Sequence, residues 1–399
     1  MNRVGLCFAA IQLFFITTWT VYVIFLPRLA EQAGIGKQWV IFLLMADQVI
    51  FAVTDLAMGI AADRVSRTFG RLARLMVGMT AVSCIAFLLL PVVAPAGSPA
   101  LFLAVTLVWT LTSSALRAPP LVLLGKYLPP PSVPWMATLL LFGVGVAGAI
   151  APYLTVTLRN TDARLPFALS SIALIVVVCG VLWAEKHLAH IAAPQPAVTR
   201  PVTPGVLVFF GAIALLGLGF QVHFAINAAP QFLRFAKPAD LEYLMPVFWI
   251  GFNLLMFPAQ YATTRFGGVA VMAVGGLVGA VAAWMVATAG SLNALVTWQF
   301  IAGGAWGAVL MSALAAAVWV GRTGREGAAT GGLFSLLAIA TFARMAIVAA
   351  QLNKEPGFAD MLAWLPAALW GVAGVVLAVL AVLSKSMSLK APKLESDPI

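Results

Sequence analysis

Polar and charged positions in this chain are gathered into short intervals, and between them run about twelve blocks of mainly apolar residues. The blocks cover residues 5–26, 38–61, 72–94, 100–125, 135–157, 165–184, 205–229, 243–263, 268–289, 294–320, 328–352 and 360–383. Each reaches the roughly 20 residues an α-helix needs to cross a ~30 Å hydrocarbon core. Only helices and closed barrels satisfy every backbone group inside lipid. These blocks are too long, and too apolar on every face, to be barrel strands. The first block is longer than the apolar core of a secretory leader and a polytopic chain follows it, so it reads as a membrane span. The pattern predicts an all-α integral membrane protein of twelve transmembrane helices. Six blocks precede a polar, proline-bearing interval and six follow it. The organisation expected is therefore a six-helix bundle over 1–184, a central loop over 185–204, a second bundle over 205–384 and a polar tail over 385–399.

Composition agrees, with 62% apolar and 9% charged residues and a mean hydropathy of +1.03. A soluble domain carries about a quarter charged residues. An even number of spans places both termini on one side of the bilayer. That side receives 14 of the 23 Lys and Arg residues, and the other side receives 7. Basic residues favour the cytoplasm, so both termini are expected there. Topology and anionic lipid also explain the net charge of +10 without nucleic acid. Cys7, Cys84 and Cys179 all fall in apolar blocks, spaced for neither disulfides nor metal, and read as small hydrophobes.

Between the second and third blocks the chain reads Gly59-Ile60-Ala61-Ala62-Asp63-Arg64-Val65-Ser66-Arg67. This resembles the signature loop of the major facilitator superfamily, G-x-x-x-D-R-x-G-R. Gly59, Asp63, Arg64 and Arg67 match, Ser66 replaces a glycine, and Thr68 stands where a second basic residue is common. A degraded copy, Arg265-Phe266-Gly267, follows the eighth block, with Thr264 in place of the aspartate. Span count, the central loop and the loop position extend the resemblance over the whole chain. It implies two pseudo-symmetric six-helix bundles and transport by alternating access. It also implies that Gly59, Asp63, Arg64 and Arg67 form a conformational latch, with Asp63 at the positive start of the eleventh helix, near Gly327 to Thr330. The alternative reading makes the arginines topology determinants only.

Four ionisable residues besides histidine lie inside blocks: Asp47 and Asp55 on the second, Arg117 on the fourth, Arg344 on the eleventh. Each is costly in hydrocarbon and calls for a partner or for water. At 1.5 Å per residue, Asp55 and Arg117 share one depth, about 12–13 Å from the terminal side. Asp47 and Arg344 share another, about 24 Å in. These depths predict the pairs Asp55–Arg117 and Asp47–Arg344, which serve either packing or proton coupling. In the resembling family the first, fourth, seventh and tenth spans line the cavity. Here those spans carry Gln12, Trp19 and Tyr22, then Thr106, Thr110, Ser113 and Arg117, then Phe220, His223 and Asn227, then Gln299 and Trp306. Singly these read as packing; together they suggest an amphipathic site, where Arg117 suits a carboxylate or phosphate.

Other signals carry less. Gly143, Gly145 and Gly148 spell a dinucleotide fingerprint, but no strand precedes them and they fit close helix packing. Glu185, His187 and His190 read as a solvated loop rather than a metal site. There is no phosphate-binding loop and no nucleophile–base arrangement, so neither an enzyme nor a cofactor is expected. The sequence points to a secondary transporter for a small amphipathic organic solute, coupled to H⁺, acting as a monomer in a bacterial inner membrane. The alternative is a non-transporting assembly or scaffold factor on the same fold.

Overall fold

The computed structural model describes residues 2–66, 70–191, 203–321 and 324–390, and no strand occurs among them. Among the described residues, twelve helical spans are long and apolar enough to cross a membrane. They are α1 (Asn2–Gln32), α2 (Lys37–Val65), α3 (Arg71–Ala96), α4 (Pro99–Tyr127), α5 (Val133–Leu158) and α6 (Arg164–His190). The second set is α7 (Pro204–Phe232), α8 (Pro238–Phe266), α9 (Gly268–Ala287), α10 (Leu292–Val320), α11 (Glu326–Ala349) and α12 (Pro356–Leu383). Residues 185–190, expected in the central loop, continue α6 instead. Glu185 stabilises that extension, accepting the backbone N–H groups of Gly70 (3.1 Å) and Ala73 (3.2 Å) at the start of α3. A carboxylate at a helix start offsets orphan donors there. The rest of the expected loop, 192–202, lies outside the described residues. So does 391–399 of the expected tail, while 385–390 extend the last helix.

The two halves meet along two helix pairs, α2 with α11 and α5 with α8. The pairings are equivalent by the pseudo-twofold relation of the halves. Glycines make both close. A Cβ on Gly59 would fall 2.0 Å from the Gly327 carbonyl oxygen, and one on Gly331 would fall 2.4 Å from that of Asp55. On the other pair, a Cβ on Gly148 would fall 2.4 Å from the Trp249 ring. Without those side chains the backbones approach to van der Waals distance, which is how membrane helices associate when lipid offers no hydrophobic drive.

Two departures from regular winding, in α4 and α7, bear on the cavity, and each lies beside proline. In α4, Pro119 and Pro120 have no N–H for the carbonyls of Ala115 and Leu116. The helix passes through a 3₁₀ turn at Ser114–Leu116 and restarts at Pro119. The freed Leu116 carbonyl accepts Gln12 Nε2 at 2.7 Å. In α7, Gln221–Asn227 wind as a π-helix just before Pro230. Such bulges concentrate at functional positions.

Candidate functional site

A cavity of about 560 Å³ opens between the halves. Its N-terminal wall carries Trp19, Phe51 and Trp109, and its C-terminal wall carries Phe220, Phe224 and Trp249. The rings are mutually braced. Trp19 stacks on Trp109 at 5.9 Å between centroids, and Phe224 meets Trp249 edge-on at 5.4 Å. Aromatic pairs of this kind hold their shape at little entropic cost. Polar groups interrupt the walls at Gln48, Thr80, Ser113, Gln221 and Thr341, and Arg117 and Arg344 are the charged lining residues.

The break in α4 sets Arg117. Its backbone leaves the regular helix (φ −97°, ψ −72°), and its guanidinium reaches the fully buried Asp55, with Nη1 2.8 Å from Oδ2. The same guanidinium lies 5.1 Å from the Phe51 ring centroid and 5.2 Å from that of Phe334. Phe51 belongs to the first half and Phe334 to the second. Arg117 thus carries an ion pair within one half and a cation–π contact across the interface.

The other pair expected from depth is absent. Asp47 accepts Tyr22 Oη at 3.0 Å and Thr110 Oγ1 at 2.8 Å, which places its carboxylate among α1, α2 and α4. Arg344 makes no hydrogen bond or ion pair among the described residues. Equal depth does not fix azimuth around a helix. Asp47 turns into the first bundle, whereas Arg344 turns into the cavity.

Below the cavity, toward the face bearing both termini, lies the α2–α11 seam. Asp63 Oδ1 accepts the Gly327 N–H at 2.6 Å, and Oδ2 accepts that of Ala328 at 2.9 Å. Two orphan donors of the α11 start are thereby satisfied by a carboxylate, the favoured charge at a helix N-terminus. Arg64 is exposed, and Arg67 lies outside the described residues. Lys126 Nζ donates to the Ser66 carbonyl beside the seam.

Of the residues expected in the cavity, Trp19, Ser113, Arg117 and Phe220 line it. The others stand behind it. Gln12 braces the α4 break and Tyr22 holds Asp47. His223 Nε2 and Gln299 Oε1 share a hydrogen bond at 3.1 Å, and Asn227 Nδ2 donates to the Leu362 carbonyl at 2.7 Å. Trp306 stacks on the back of Phe220 at 4.5 Å, with 4° between the planes. Helix α10 is displaced from the lining because its glycines draw it against α8. A Cβ on Gly303 would fall 1.8 Å from the Phe248 carbonyl oxygen. The sequence reading missed Gln48, Thr80, Gln221, Trp249 and Thr341. Gln48, Thr80, Trp249 and Thr341 line the cavity from blocks outside the four expected to do so, and their polar or aromatic side chains were the available signal; Gln221 lines it from the seventh block, next to Phe220.

The sequence matches no protein-family profile and no curated protein. The structure, however, is similar to several solved transporters. A bacterial homologue of the iron transporter ferroportin, in an outward-facing state, superposes with a TM-score of 0.69 at 13% identity, over 95% of this chain and 100% of that one. The human organic anion transporter MFSD10 gives 0.68 at 15% identity, over 96% and 99%. The fucose:proton symporter of E. coli gives 0.66 at 12% identity, over 95% and 98%. The twelve membrane-length helices are arranged here as in these proteins, and the chain has the major facilitator superfamily fold.

Proposed function

We propose that the protein is a secondary active transporter that moves a small amphipathic organic solute by alternating access, coupled to H⁺. The observation that carries this reading is the cavity itself. It is walled by aromatic rings from both halves, and the seam of Gly59, Asp63 and Gly327 lies toward the terminal face from it. Parting the α2–α11 seam and closing α1 toward α7 would expose the same walls to the other side. Gly59, Asp63, Arg64 and Arg67 are assigned to the latch. Trp19, Ser113, Arg117 and Phe220 are assigned to solute contact, and Gln12, Tyr22, His223, Asn227, Gln299 and Trp306 to the layer supporting them.

For coupling, Asp55 is the carboxylate paired with a cavity-lining arginine. A proton on Asp55 removes the attraction that holds Arg117. The guanidinium is then free to reorient against Phe51 and Phe334, which belong to different halves. Asp47 is assigned a second proton-binding role, and Arg344 a role in binding rather than pairing. Transporters on this fold carry cargoes as unlike as iron, organic anions and fucose, so the fold itself does not choose the solute. In this reading the protein acts as a monomer in a bacterial inner membrane with cytoplasmic termini. The deciding experiment is reconstitution in proteoliposomes with an imposed pH gradient. A Ser335→Cys reporter on the α11 stripe of Gly327 and Gly331 reads opening of the terminal face, and a Thr155→Cys reporter reads the cavity. Labelling that shifts from one reporter to the other with the gradient supports alternation. Labelling fixed under every gradient and every solute pool refutes it.

A further inference from the structure

We propose that Arg344 is the anchor for an organic anion, so that the solute is a singly charged aromatic or branched carboxylate; this rests on the transporter reading above. Among the described residues the cavity lining holds two guanidinium groups and no carboxylate. Arg117 is matched by Asp55, and Asp47 is held by Tyr22 and Thr110 away from the lining. Arg344 has no partner among the described residues, and its Nε is buried. A guanidinium does not shed its proton in proteins. One positive charge therefore stands uncompensated between low-dielectric walls, a costly arrangement unless something anionic arrives. The fork of an arginine matches a carboxylate in a bidentate manner.

The surroundings define the rest of the solute. Thr341 lies one turn before Arg344 on the same face, and its hydroxyl accepts Gln221 Nε2 at 2.9 Å, so two polar side chains flank the charge. Away from them the walls are rings. Trp19, Trp109, Trp249 and Phe224 leave a slot for a flat or branched apolar body. A volume near 560 Å³ lies within the roughly 300–1,000 Å³ of small-molecule sites. One unmatched charge selects a monoanion over a dianion.

The test uses the full chain in phosphatidylcholine nanodiscs and three probes of one shape: 1-naphthoate, 1-naphthylmethanol and 1-naphthylmethylammonium. Calorimetric titration is expected to show naphthoate binding at least tenfold tighter than the alcohol, with the ammonium weakest. Arg344→Gln is expected to reduce naphthoate affinity at least tenfold, to leave the alcohol within twofold, and to raise the melting temperature of the empty protein by removing an unpaired charge. Arg344→Lys should fall between the two for naphthoate. The proposal is overturned by equal affinities, by a preference for the ammonium, by no binding of naphthoate, or by naphthoate binding that survives Arg344→Gln. Should Arg344→Gln fail to fold, Arg344→Lys and the probe ranking of the unaltered protein decide. Phosphatidylglycerol doped into the nanodiscs must leave naphthoate binding unchanged. Competition at lipid concentrations assigns the anchor to a lipid headgroup and refutes the soluble solute. Reporter labelling at Ser335→Cys and Thr155→Cys separates the two readings. Alternation without anion preference sinks this inference alone, and absent alternation sinks the transport reading beneath it.

Discussion

Replacing Gly59 by alanine should drive the protein out of the conformation described above. The added Cβ would lie 2.0 Å from the Gly327 carbonyl oxygen and 2.6 Å from its carbonyl carbon. Both obstructing atoms are backbone, so no side chain can swing aside. Ordinary contact begins near 3.4 Å, so α2 and α11 must part by about 1.4 Å at this level. Overpacking of this kind costs about 1–3 kcal/mol. A state with the seam open escapes that cost, so the ratio of the two states should shift roughly 5- to 150-fold toward it. The reporter is Ser335→Cys in a background where Cys7, Cys84 and Cys179 are alanine. Ser335 is buried one turn beyond Gly331, and opening of the seam is expected to expose it. A membrane-impermeant maleimide added from the terminal face should label it faster by that factor in Gly59→Ala. Gly332→Ala is the control, since a Cβ there would meet nothing nearer than the Phe210 ring at 3.8 Å. It should leave labelling unchanged. Equal labelling in Gly59→Ala and Gly332→Ala, with both proteins folded, would refute the view that this seam closes the terminal face.

Asp63→Asn keeps one acceptor for the α11 start but loses the charge, a change worth about 1 kcal/mol. Labelling at Ser335→Cys should rise about fivefold, and a rate equal to that of the parent would leave Asp63 a structural cap only. Arg117→Gln strands Asp55 in the interior and should cost about 3–5 kcal/mol. Adding Asp55→Asn should recover part of the lost melting temperature, whereas additive losses would dissolve the pair. Gln12→Leu leaves the Leu116 carbonyl unbonded and should cost about 1–3 kcal/mol. Pro120→Ala on that background returns a backbone donor to Leu116 and should restore stability in the same melting assay.

The twelve helices were legible because lipid permits almost no other use for blocks of such length and polarity. The Asp63 contact with the α11 start was legible as well, since the family resemblance of the loop implies that partner and a helix dipole accounts for it. Depth arithmetic predicted Asp55 beside Arg117, although α4 is interrupted there by a 3₁₀ turn before its two prolines. The same arithmetic failed for Asp47 and Arg344, because depth says nothing about rotation around the helix axis. Nor did spacing reveal that α10 would be shut out of the lining. That outcome depends on Gly303 meeting the backbone of Phe248, a contact between segments distant in sequence.

The π-wound stretch of α7 has a consequence for the cavity wall. A π turn accommodates one residue more than an α turn for the same advance. Phe220, just before this stretch, and Phe224, within it, face the cavity, while His223 and Asn227 anchor it behind, to Gln299 and to Leu362. Passing the surplus residue along α7 would change the phase of the ring-bearing side against the anchored side, without any rigid-body displacement of the helix. Phe224 could then turn relative to Phe220 while the two halves stay still. The wall thus has a register of its own, and the shape offered to a solute can change independently of which side of the membrane the cavity faces.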